Sequence, residues 1–248
     1  MLITSLDNER VKKYRKLREK KYRDRLNLFL VEGWHLVLEA YRAGLVEEVI
    51  LTEEVACELD VPKIYVTQEI IKKITELDTP VPILALCHKV ENDPQKIGQR
   101  ILMLDGIQDP GNLGTILRSA KAFHVDTVIL GTKTVDLYNA KVLRATQGML
   151  FHLHVIEGDL VELIPKIKKQ GIPIYGTKVE SGEDVRKLET SAKTQYALVM
   201  GNEGNGVTEE VLSLCDHYLY IQMDSEVESL NVAVATSILL YELDRREN

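Results

Sequence analysis

The sequence predicts an α/β fold in which a small α/β domain precedes a larger, mostly parallel six-stranded sheet. Short apolar runs alternate with helical stretches along most of the chain, as in sheets whose crossover connections are helices. A polar segment that contains proline, VENDPQKIGQ, interrupts this alternation. The composition, with 45% hydrophobic and 28% charged residues, is ordinary for a globular protein. Disordered, collagenous and membrane chains are therefore disfavoured.

The first domain is expected to span residues 1–90. It opens with a segment rich in lysine and arginine, residues 9–25, in which Val11, Tyr14 and Leu17 recur near helical spacing. This pattern predicts one basic amphipathic helix. The elements after it alternate between strand and helix, with strands at 29–31, 47–53, 63–67 and 81–86 and helices at 34–44 and 68–77.

Residues 91–99 are expected to form a linker and residues 100–248 a second domain. Its strands are predicted at 101–104, 126–130, 151–156, 172–176, 197–200 and 218–221. Its helices are predicted at 113–123, 139–149, 159–170, 208–214 and 229–245. Parallel sheets bind ligands beyond the carboxyl ends of their strands, so the functional residues are expected in the loops that follow the strands.

The charge distribution points to nucleic acid. The net charge is −7, but residues 1–30 carry +6, so the other residues carry −13. A basic end on an acidic protein is typical of nucleic-acid binders. The lysines of the basic segment are either phosphate contacts or the solvated face of a helix, and the segment alone does not decide between them. These lysines are Lys12, Lys13, Lys16, Lys20 and Lys21.

The cysteines and the apolar runs bear on the compartment. Cys57, Cys87 and Cys215 are odd in number and far apart, and no CxxC occurs, so neither a disulfide framework nor a zinc site is indicated. The sequence has no run of about 18 apolar residues and no apolar signal-peptide core at its start. A cytoplasmic protein with no membrane partner is expected.

The first informative loop is LDGIQDPGNLGTILRSA, residues 104–120. The Asp-Pro-Gly turn leads into a helix, and Asn112 is placed to cap that helix. Arg118 lies nearly two turns further on, on a different face of an ideal helix. Asn112 and Arg118 are either members of one site, joined by a bend or by the cap geometry, or a cap and a surface arginine.

The second loop is LVMGNEGNG, residues 198–206, where a buried strand opens into a run of glycines. Gly201 allows a backbone to approach a ligand closely. The spacing is GxxGxG, which does not match the GxGxxG dinucleotide fingerprint, so a nucleotide-dependent dehydrogenase is disfavoured. Glu203 is either an orienting carboxylate or a solvated turn residue.

The third loop leads into the last helix within IQMDSEVESLNVAVATSILLYEL, residues 221–243. Ser229 is a natural cap for that helix. Asn231 in the first turn is less expected, because its side chain competes with helical hydrogen bonds. The helix carries a broad apolar surface that includes Val234, Leu239 and Tyr241, and a partner helix would cover part of it.

Together the three loops resemble the motifs of the SpoU (TrmH-like) RNA ribose 2′-O-methyltransferases of the SPOUT superfamily, over residues 101–245. The stretch LFLVEGWHLVLEAYRAGLVEEVILTE is similar to the substrate-binding domain, itself L30e-like, that precedes the catalytic domain in members acting on ribosomal RNA. The stretch YNAKVLRATQGMLFHLHV at 138–155 also matches the family. The resemblance implies a deep trefoil knot in the second domain and a homodimer that shares residues between sites.

The resemblance also implies an activity: transfer of a methyl group from S-adenosylmethionine to a ribose 2′-hydroxyl, without metal. Donor-binding positions are implied at Thr177, Gly201, Ile221, Met223 and Leu230. Catalysis is implied for Arg118 with Asn112 beside it, and Glu203, Ser229 and Asn231 would order the site. Arg144 is implied as an RNA contact, with an exposed structural arginine as the alternative. The N-terminal domain favours ribosomal RNA over transfer RNA, and a non-catalytic RNA-binding module is the remaining alternative.

Overall fold

The computed structural model describes residues 2–180, 182–189 and 194–244. They cluster into two compact units. The first unit holds the residues up to Glu91 together with Asp136–His152. The second unit holds Asn92–Val135 and the residues from Leu153 onward. None of the helices in these described ranges is both long and apolar enough to cross a membrane.

The secondary structure follows the predicted alternation. The strands are β1 (Leu2–Ile3), β2 (Leu28–Glu32), β3 (Val46–Leu51), β4 (Lys63–Val66), β5 (Ile83–His88), β6 (Arg100–Asp105), β7 (Thr127–Leu130), β8 (His154–Glu157), β9 (Ile174–Thr177), β10 (Glu183–Asp184), β11 (Tyr196–Gly201) and β12 (His217–Tyr220). The helices are α1 (Glu9–Lys16), α2 (Lys20–Leu26), α3 (Trp34–Arg42), α4 (Gln68–Ile74), α5 (Pro110–Ala122), α6 (Ala140–Thr146), α7 (Leu160–Lys168), α8 (Glu209–Leu212) and α9 (Val232–Asp244). The expected helix 229–245 ends at Arg245, which lies outside the described residues.

The first unit is built on a five-stranded sheet in the order β1–β4–β3–β5–β2. Strand β4 runs parallel to both of its neighbours, and β5 runs antiparallel to both of its own. Helices α1 and α4 pack on one face, where Val11, Tyr14, Ile70 and Ile71 are fully buried. The apolar residues of the basic segment therefore recur at helical spacing because they pack in this core.

The basic segment forms two helices, and the prediction of one continuous helix over 9–25 is wrong. Helix α1 ends with Leu17 as its C-cap residue. The buried guanidinium of Arg23 donates to the backbone carbonyls of Leu17 at 2.7 Å and of Arg18 at 2.6 Å. These carbonyls sit at a helix end, where they lack partners within the helix, so a side chain from α2 satisfies them.

Residues Asp136–His152, which the sequence places within the second domain, pack in the first unit instead. Asp136 forms an ion pair with the buried Arg23, at 2.5 Å. Tyr138 packs on Phe29 with ring centroids 4.7 Å apart, and its hydroxyl accepts the backbone N–H of Val90 at 2.9 Å. Polar and aromatic contacts that link positions more than forty residues apart leave no pattern in a single sequence, so this grouping was not predictable.

The second unit contains the predicted parallel sheet, in the order β10–β12–β9–β11–β6–β7–β8. All of its described strand pairs are parallel. The six expected strands are present, and the two-residue strand β10 adds a seventh at one edge. Strands β6 and β11 are neighbours in the middle of the sheet, with Gly201 opposite Asp105 where both strands end. The loops after these strands therefore start side by side.

Helices cover the second unit's sheet. Helices α7 and α8 share a buried cluster with Ile101 and Met103 of β6. Helices α5 and α9 pack on each other, with the Ser119 and Ser237 hydroxyls 2.7 Å apart. Leu239 of α9 is only 2% exposed, so this residue is part of the unit's own core. The exposed apolar residues of α9 are Val234 and Tyr241, which are 49% and 57% exposed.

Candidate active site

The loop after β6 presents the side chain of Asn112. Asp109 caps α5 by accepting the backbone N–H of Asn112 at 2.8 Å, and Pro110 takes the first helical position, where no N–H is needed. The prediction that Asn112 caps the helix is therefore wrong. The Asp-Pro pair was the stronger cap signal in the sequence. Because Asp109 is the cap, the amide of Asn112 is free to bind groups from other loops.

Three loops that are far apart in the sequence meet through a polar chain, which we define as Glu203, Asn112 and Asn231. Asn112 Nδ2 donates to Glu203 Oε1 at 3.1 Å, and Asn231 Nδ2 donates to Asn112 Oδ1 at 2.9 Å. A carboxylate can only accept, so it fixes which end of the Asn112 amide faces it. That orientation in turn requires a donor at Oδ1, and Asn231 supplies it.

Glu203 also holds the loop after β6. Its carboxylate accepts the backbone N–H of Asp109 at 3.1 Å and that of Gln108 at 3.3 Å. Partial burial acts to raise the pKa of Glu203, but hydrogen bonds from Asn112 and from these backbone groups outweigh it, so the pKa lies below its usual range. Glu203 is therefore ionised at neutral pH and acts as an acceptor.

The glycine loop after β11 is closed by its own backbone. Asn202 and Gly206 exchange two backbone hydrogen bonds of 2.9 Å each. A Cβ built on Gly201 would lie 2.0 Å from the carbonyl carbon of Gly206 and from the backbone nitrogen of Val207. Close backbone approach at Gly201 is thus required, as the sequence suggests, but the approaching group in this structure is the loop itself.

A cavity of about 530 Å³ lies beside the polar chain. Its volume is within the range of sites for small molecules. Its walls hold apolar side chains from four segments and the backbone of the glycine loop. They include every position that the family resemblance implies for the donor: Thr177, Gly201, Ile221, Met223 and Leu230. Glu203 and Ser229 line it too, so the polar chain and the cavity share a border.

The structure differs from the roles that the sequence suggests for Ser229 and Asn231. Helix α9 begins at Val232, and Asn231 Oδ1 accepts the backbone N–H groups of Ala233 at 2.9 Å and Val234 at 3.3 Å. Asn231 is thus the cap, and the prediction of Ser229 as the cap is wrong. Ser229 does not cap the helix and lies at the cavity wall. Asn231 uses its oxygen for the helix and its nitrogen for Asn112, which explains an asparagine at this position.

Arg118 stands apart from the polar chain within one copy of the protein. Helix α5 is regular from Pro110 to Ala122, so Asn112 and Arg118 are displaced by about 120° around its axis. The Arg118 side chain is exposed. Within the described ranges it has no ion pair. The structure therefore brings Asn112, Glu203 and Asn231 together and does not bring Arg118 to them.

Most lysines of the basic segment have acidic neighbours. The Nζ atoms of Lys12, Lys13, Lys20 and Lys21 lie 2.7–3.3 Å from carboxylate oxygens of Glu9, Glu47, Asp24 and Glu19, respectively. Lys16 lies 5.7 Å from the Tyr22 ring and pairs with no carboxylate of the described residues. The charge of the segment is thus largely compensated, which a count of cations does not reveal.

Arg144 belongs to the first unit, on α6, and its side chain is partly buried. Its Nη1 atom is buried and has no hydrogen-bond partner among the described residues. The described residues also contain no group of three or more His, Cys, Asp or Glu side chains arranged to hold a metal ion.

Two positioning residues were missed in the sequence, Asp109 and Asn202. Asn202 directs its Nδ2 to the carbonyl of Gly106 at 2.8 Å and its Oδ1 to the backbone N–H of Gly204 at 2.9 Å. It thereby ties the two central loops together. An asparagine directly after a buried strand, at the start of a glycine run, was the available signal.

Comparison with known proteins matches two stretches of the chain to known families. Residues 99–241 match the model of the SpoU rRNA Methylase family, and residues 8–85 match the MRM3-like substrate binding domain. The chain is 38% identical to the 23S rRNA (guanosine(2553)-2′-O)-methyltransferase RlmP of Bacillus subtilis over 246 residues, which cover 97% of this chain and 98% of that protein.

Solved structures share the architecture. An rRNA methyltransferase from Sinorhizobium meliloti, described as AdoMet bound, superimposes with a TM-score of 0.85 at 29% identity, covering 98% of this chain and 97% of that chain. An RNA 2′-O ribose methyltransferase superimposes with a TM-score of 0.82 at 29% identity and covers 98% of both chains. With a family model that matches more than half of its length, the chain belongs to the SpoU rRNA methylase family.

Proposed function

We propose that this protein transfers a methyl group from S-adenosylmethionine to a ribose 2′-hydroxyl of ribosomal RNA. The observation that carries the proposal is the polar chain Glu203–Asn112–Asn231 at the border of an apolar cavity. Family membership supports the reaction. The similarity to a 23S rRNA 2′-O-methyltransferase over nearly the whole chain supports the substrate class.

The cavity fits the methyl donor. Ile221, Met223 and Leu230 supply an apolar surface for the adenine, and the backbone around Thr177 and Gly201 supplies hydrogen-bonding groups. S-adenosylmethionine would supply an activated methyl group on its sulfonium, so the reaction needs no metal ion. The residues of the protein then have two tasks, which are to place the ribose hydroxyl and to assist loss of its proton.

The polar chain suits the placing of the hydroxyl. Glu203 fixes Asn112 and the loop after β6, and Asn231 fixes the start of α9. Ser229 adds an exposed hydroxyl at the same border. A preorganised set of amide and hydroxyl groups needs no rearrangement when the substrate arrives, which lowers the barrier.

Arg118 has a different task. A charged guanidinium has no acceptor and does not lose its proton near neutral pH, so Arg118 cannot take a proton directly. We propose that it binds a phosphate of the RNA and stabilises charge near the hydroxyl, whose proton passes to solvent water. Because Arg118 lies off the polar chain in one copy, we propose that it serves the site of the partner in a homodimer.

A homodimer agrees with the exposed face of α9. Val234 and Tyr241 lie seven residues apart on one side of the helix and are exposed in a single chain. Sedimentation should give about twice the 28.1 kDa of the monomer. Val234→Glu should lower that mass and the activity together. A fully active monomer would contradict the shared site.

The test of the proposed function is direct. Calorimetry in the presence of EDTA should detect binding of S-adenosylmethionine by the folded protein. Mapping of 2′-O-methyl groups in total RNA, with and without the gene, should reveal one missing methyl group in ribosomal RNA. A missing methyl group in transfer RNA would support the transfer-RNA alternative. Absence of donor binding would support a non-catalytic RNA-binding module.

The N-terminal residues 1–90 are proposed to bind the RNA substrate, which the match of residues 8–85 to a substrate-binding domain supports. The candidates for RNA contact are Lys12, Lys13, Lys16, Lys20, Lys21 and Arg144, of which we propose that Lys16 and Arg144, without a carboxylate partner among the described residues, contribute most. A cytoplasmic location is proposed because ribosomal RNA would be the substrate. The L30e-like character of the first unit and the trefoil knot of the second remain predictions from the family resemblance.

A further inference from the structure

Trp34 is the single tryptophan of the chain, and it is exposed. It is the first residue of α3 and keeps 39% of its surface accessible, whereas Leu36, Val37 and Ala40 of the same helix are buried. A large aromatic side chain that buries only part of its surface gains only part of the free energy of burial. Surfaces that bind partners are enriched in aromatic residues.

The two residues before Trp34 are held by hydrogen bonds. Gly33 donates its N–H to the Ile83 carbonyl at 3.0 Å. Glu32 accepts the N–H of Glu76 at 2.9 Å and a hydrogen bond from the Thr75 hydroxyl. The indole thus projects from a fixed base, which favours recognition because little freedom is lost on binding.

Two hydrogen bonds connect His35, the neighbour of Trp34, with the backbone of Arg144 through Gln147. His35 Nε2 lies 3.1 Å from the backbone oxygen of Gln147, which caps the end of α6 in a left-handed conformation. Gln147 Nε2 donates to the backbone oxygen of Arg144 at 3.0 Å. We define Trp34, His35, Arg144 and Gln147 as the Trp34 surface. All four residues belong to the first unit.

The cation of the Trp34 surface is Arg144. Arg144 has no carboxylate partner among the described residues, and its Nη1 atom has an unmet demand for an acceptor. Several other cations of the same unit are paired, such as Arg23 with Asp136 and Arg42 with Glu39. An exposed indole and a partly exposed arginine without a carboxylate partner are the two kinds of group that bind an unpaired nucleotide, with the base on the ring and the phosphate on the cation.

We propose that the Trp34 surface binds an unpaired nucleotide of the RNA substrate, whose base stacks on Trp34 and whose phosphate is bound by Arg144. The proposal rests on the proposed function, because it concerns the RNA that the enzyme would methylate. The first unit would then recognise single-stranded RNA. A protein partner is the competing occupant of an exposed tryptophan.

The experiment uses the fluorescence of the full-length protein, since all tryptophan emission comes from Trp34. A short unstructured RNA should quench this emission, and a blunt duplex of the same sequence should not. In parallel, anisotropy of a labelled RNA measures affinity independently. Loss of one stacked base corresponds to about 5- to 150-fold in Kd, so Trp34→Ala should weaken RNA binding within that range and Trp34→Phe should recover part of it.

Two further variants separate the components of the surface. Arg144→Gln should weaken RNA binding and reduce the salt slope by about one, while saturating RNA still quenches Trp34. The matched control is Leu26→Ala, a truncation of an apolar residue that is 37% exposed in the same unit, and it should leave affinity unchanged. Thermal melting of each variant verifies that the unit is folded.

The outcomes are distinct. RNA that saturates the protein without quenching, or an unchanged Kd for folded Trp34→Ala, overturns the proposal. Quenching that follows protein concentration without RNA assigns the surface to a second copy of the chain and also overturns it. If RNA stacks on Trp34 but calorimetry detects no methyl donor, the Trp34 surface stands and the proposed methyltransferase function fails.

Discussion

The three loops of the second unit and the basic segment of the first unit make an instructive pair. The sequence makes both of them candidate functional regions. The loops place Asn112, Glu203 and Asn231 in direct contact, although these residues are far apart in the chain. The basic segment, with its cations next to one another, loses most of its free charge to acidic residues nearby and elsewhere in the chain.

The difference has a physical cause. Strands β6 and β11 pair in parallel, so their carboxyl ends lie at the same edge and their loops begin side by side. Polar residues placed directly after such strands converge through topology. A run of lysines has no such constraint, and its charge depends on which carboxylates the fold brings near. Position relative to a strand end is therefore a better guide to function than charge density.

The largest effect is expected at Arg118, the motif residue that does not join the polar chain. Arg118→Ala should lower methyl transfer by about 100-fold or more, as removal of a preorganised charge does, and leave donor affinity and melting temperature nearly unchanged. Arg118→Lys should retain part of the activity. Single-turnover rates and calorimetry measure the two quantities. Loss of donor affinity would place Arg118 in the donor site instead.

A trans role for Arg118 can be tested by mixing. Co-expression of Arg118→Ala with Asn112→Ala should restore activity if one protomer's arginine completes its partner's site. Each variant alone should be inactive. Heterodimers without activity would confine Arg118 to the site of its own chain and weaken the proposed shared site.

The next effect concerns the backbone of the glycine loop. Gly201→Ala places a methyl group within 2.0 Å of the backbone at Gly206, so it should destabilise the protein by about 1–3 kcal/mol and abolish donor binding. The matched control is Gly204→Ala, whose Cβ would meet only Asn202 Oδ1 at 3.6 Å. Denaturant unfolding and calorimetry measure the changes. Equal behaviour of the two variants would disprove the close approach at Gly201.

A smaller effect is expected from Glu203→Gln, which keeps the shape and removes the charge. Charge-assisted hydrogen bonds from four N–H donors weaken, so we expect about a tenfold loss of activity. The pKa of Glu203 is lowered in the folded protein. Its stabilising contribution is therefore present above the unfolded value of about 4.3 and is lost as pH falls through the lower folded value.

Melting temperatures of the wild type and Glu203→Gln should accordingly differ at pH 7 and converge towards pH 3. Glu54→Gln, a change at an exposed residue of the other unit, should show no such convergence. A constant difference between wild type and Glu203→Gln across this pH range would mean that the carboxylate charge does not hold the loops.

The smallest effect separates free from paired cations in the basic segment. Arg15 and Lys16 are exposed and pair with no carboxylate of the described residues, whereas Lys12 and Lys13 pair with Glu9 and Glu47. Replacing both residues of the first pair by alanine should reduce the salt slope of RNA binding by about two, and replacing the second pair should change it little. Equal changes in the salt slope for the two double variants would mean that pairing with carboxylates does not decide which cations contact RNA.

The sequence predicted the strands of the second unit well, because each is a short apolar run bounded by turn residues. The family motifs also contain the donor positions that line the cavity and the three residues of the polar chain. The two helix caps were assigned wrongly. In each case two candidate caps stood within three residues, and spacing does not decide which side chain accepts the backbone N–H groups. The break in the basic helix depends on Arg23, whose contacts arise only in the folded chain.

The placement of Asp136–His152 has a consequence for exchange of modules between relatives. The chain passes from one unit to the other at three points, so the first unit is encoded by two separate stretches. A fragment that stops at Glu91 lacks Asp136 and leaves the buried Arg23 without its carboxylate, a loss of about 3–5 kcal/mol. Grafting a new recognition unit onto this catalytic core therefore requires both stretches to be transferred together.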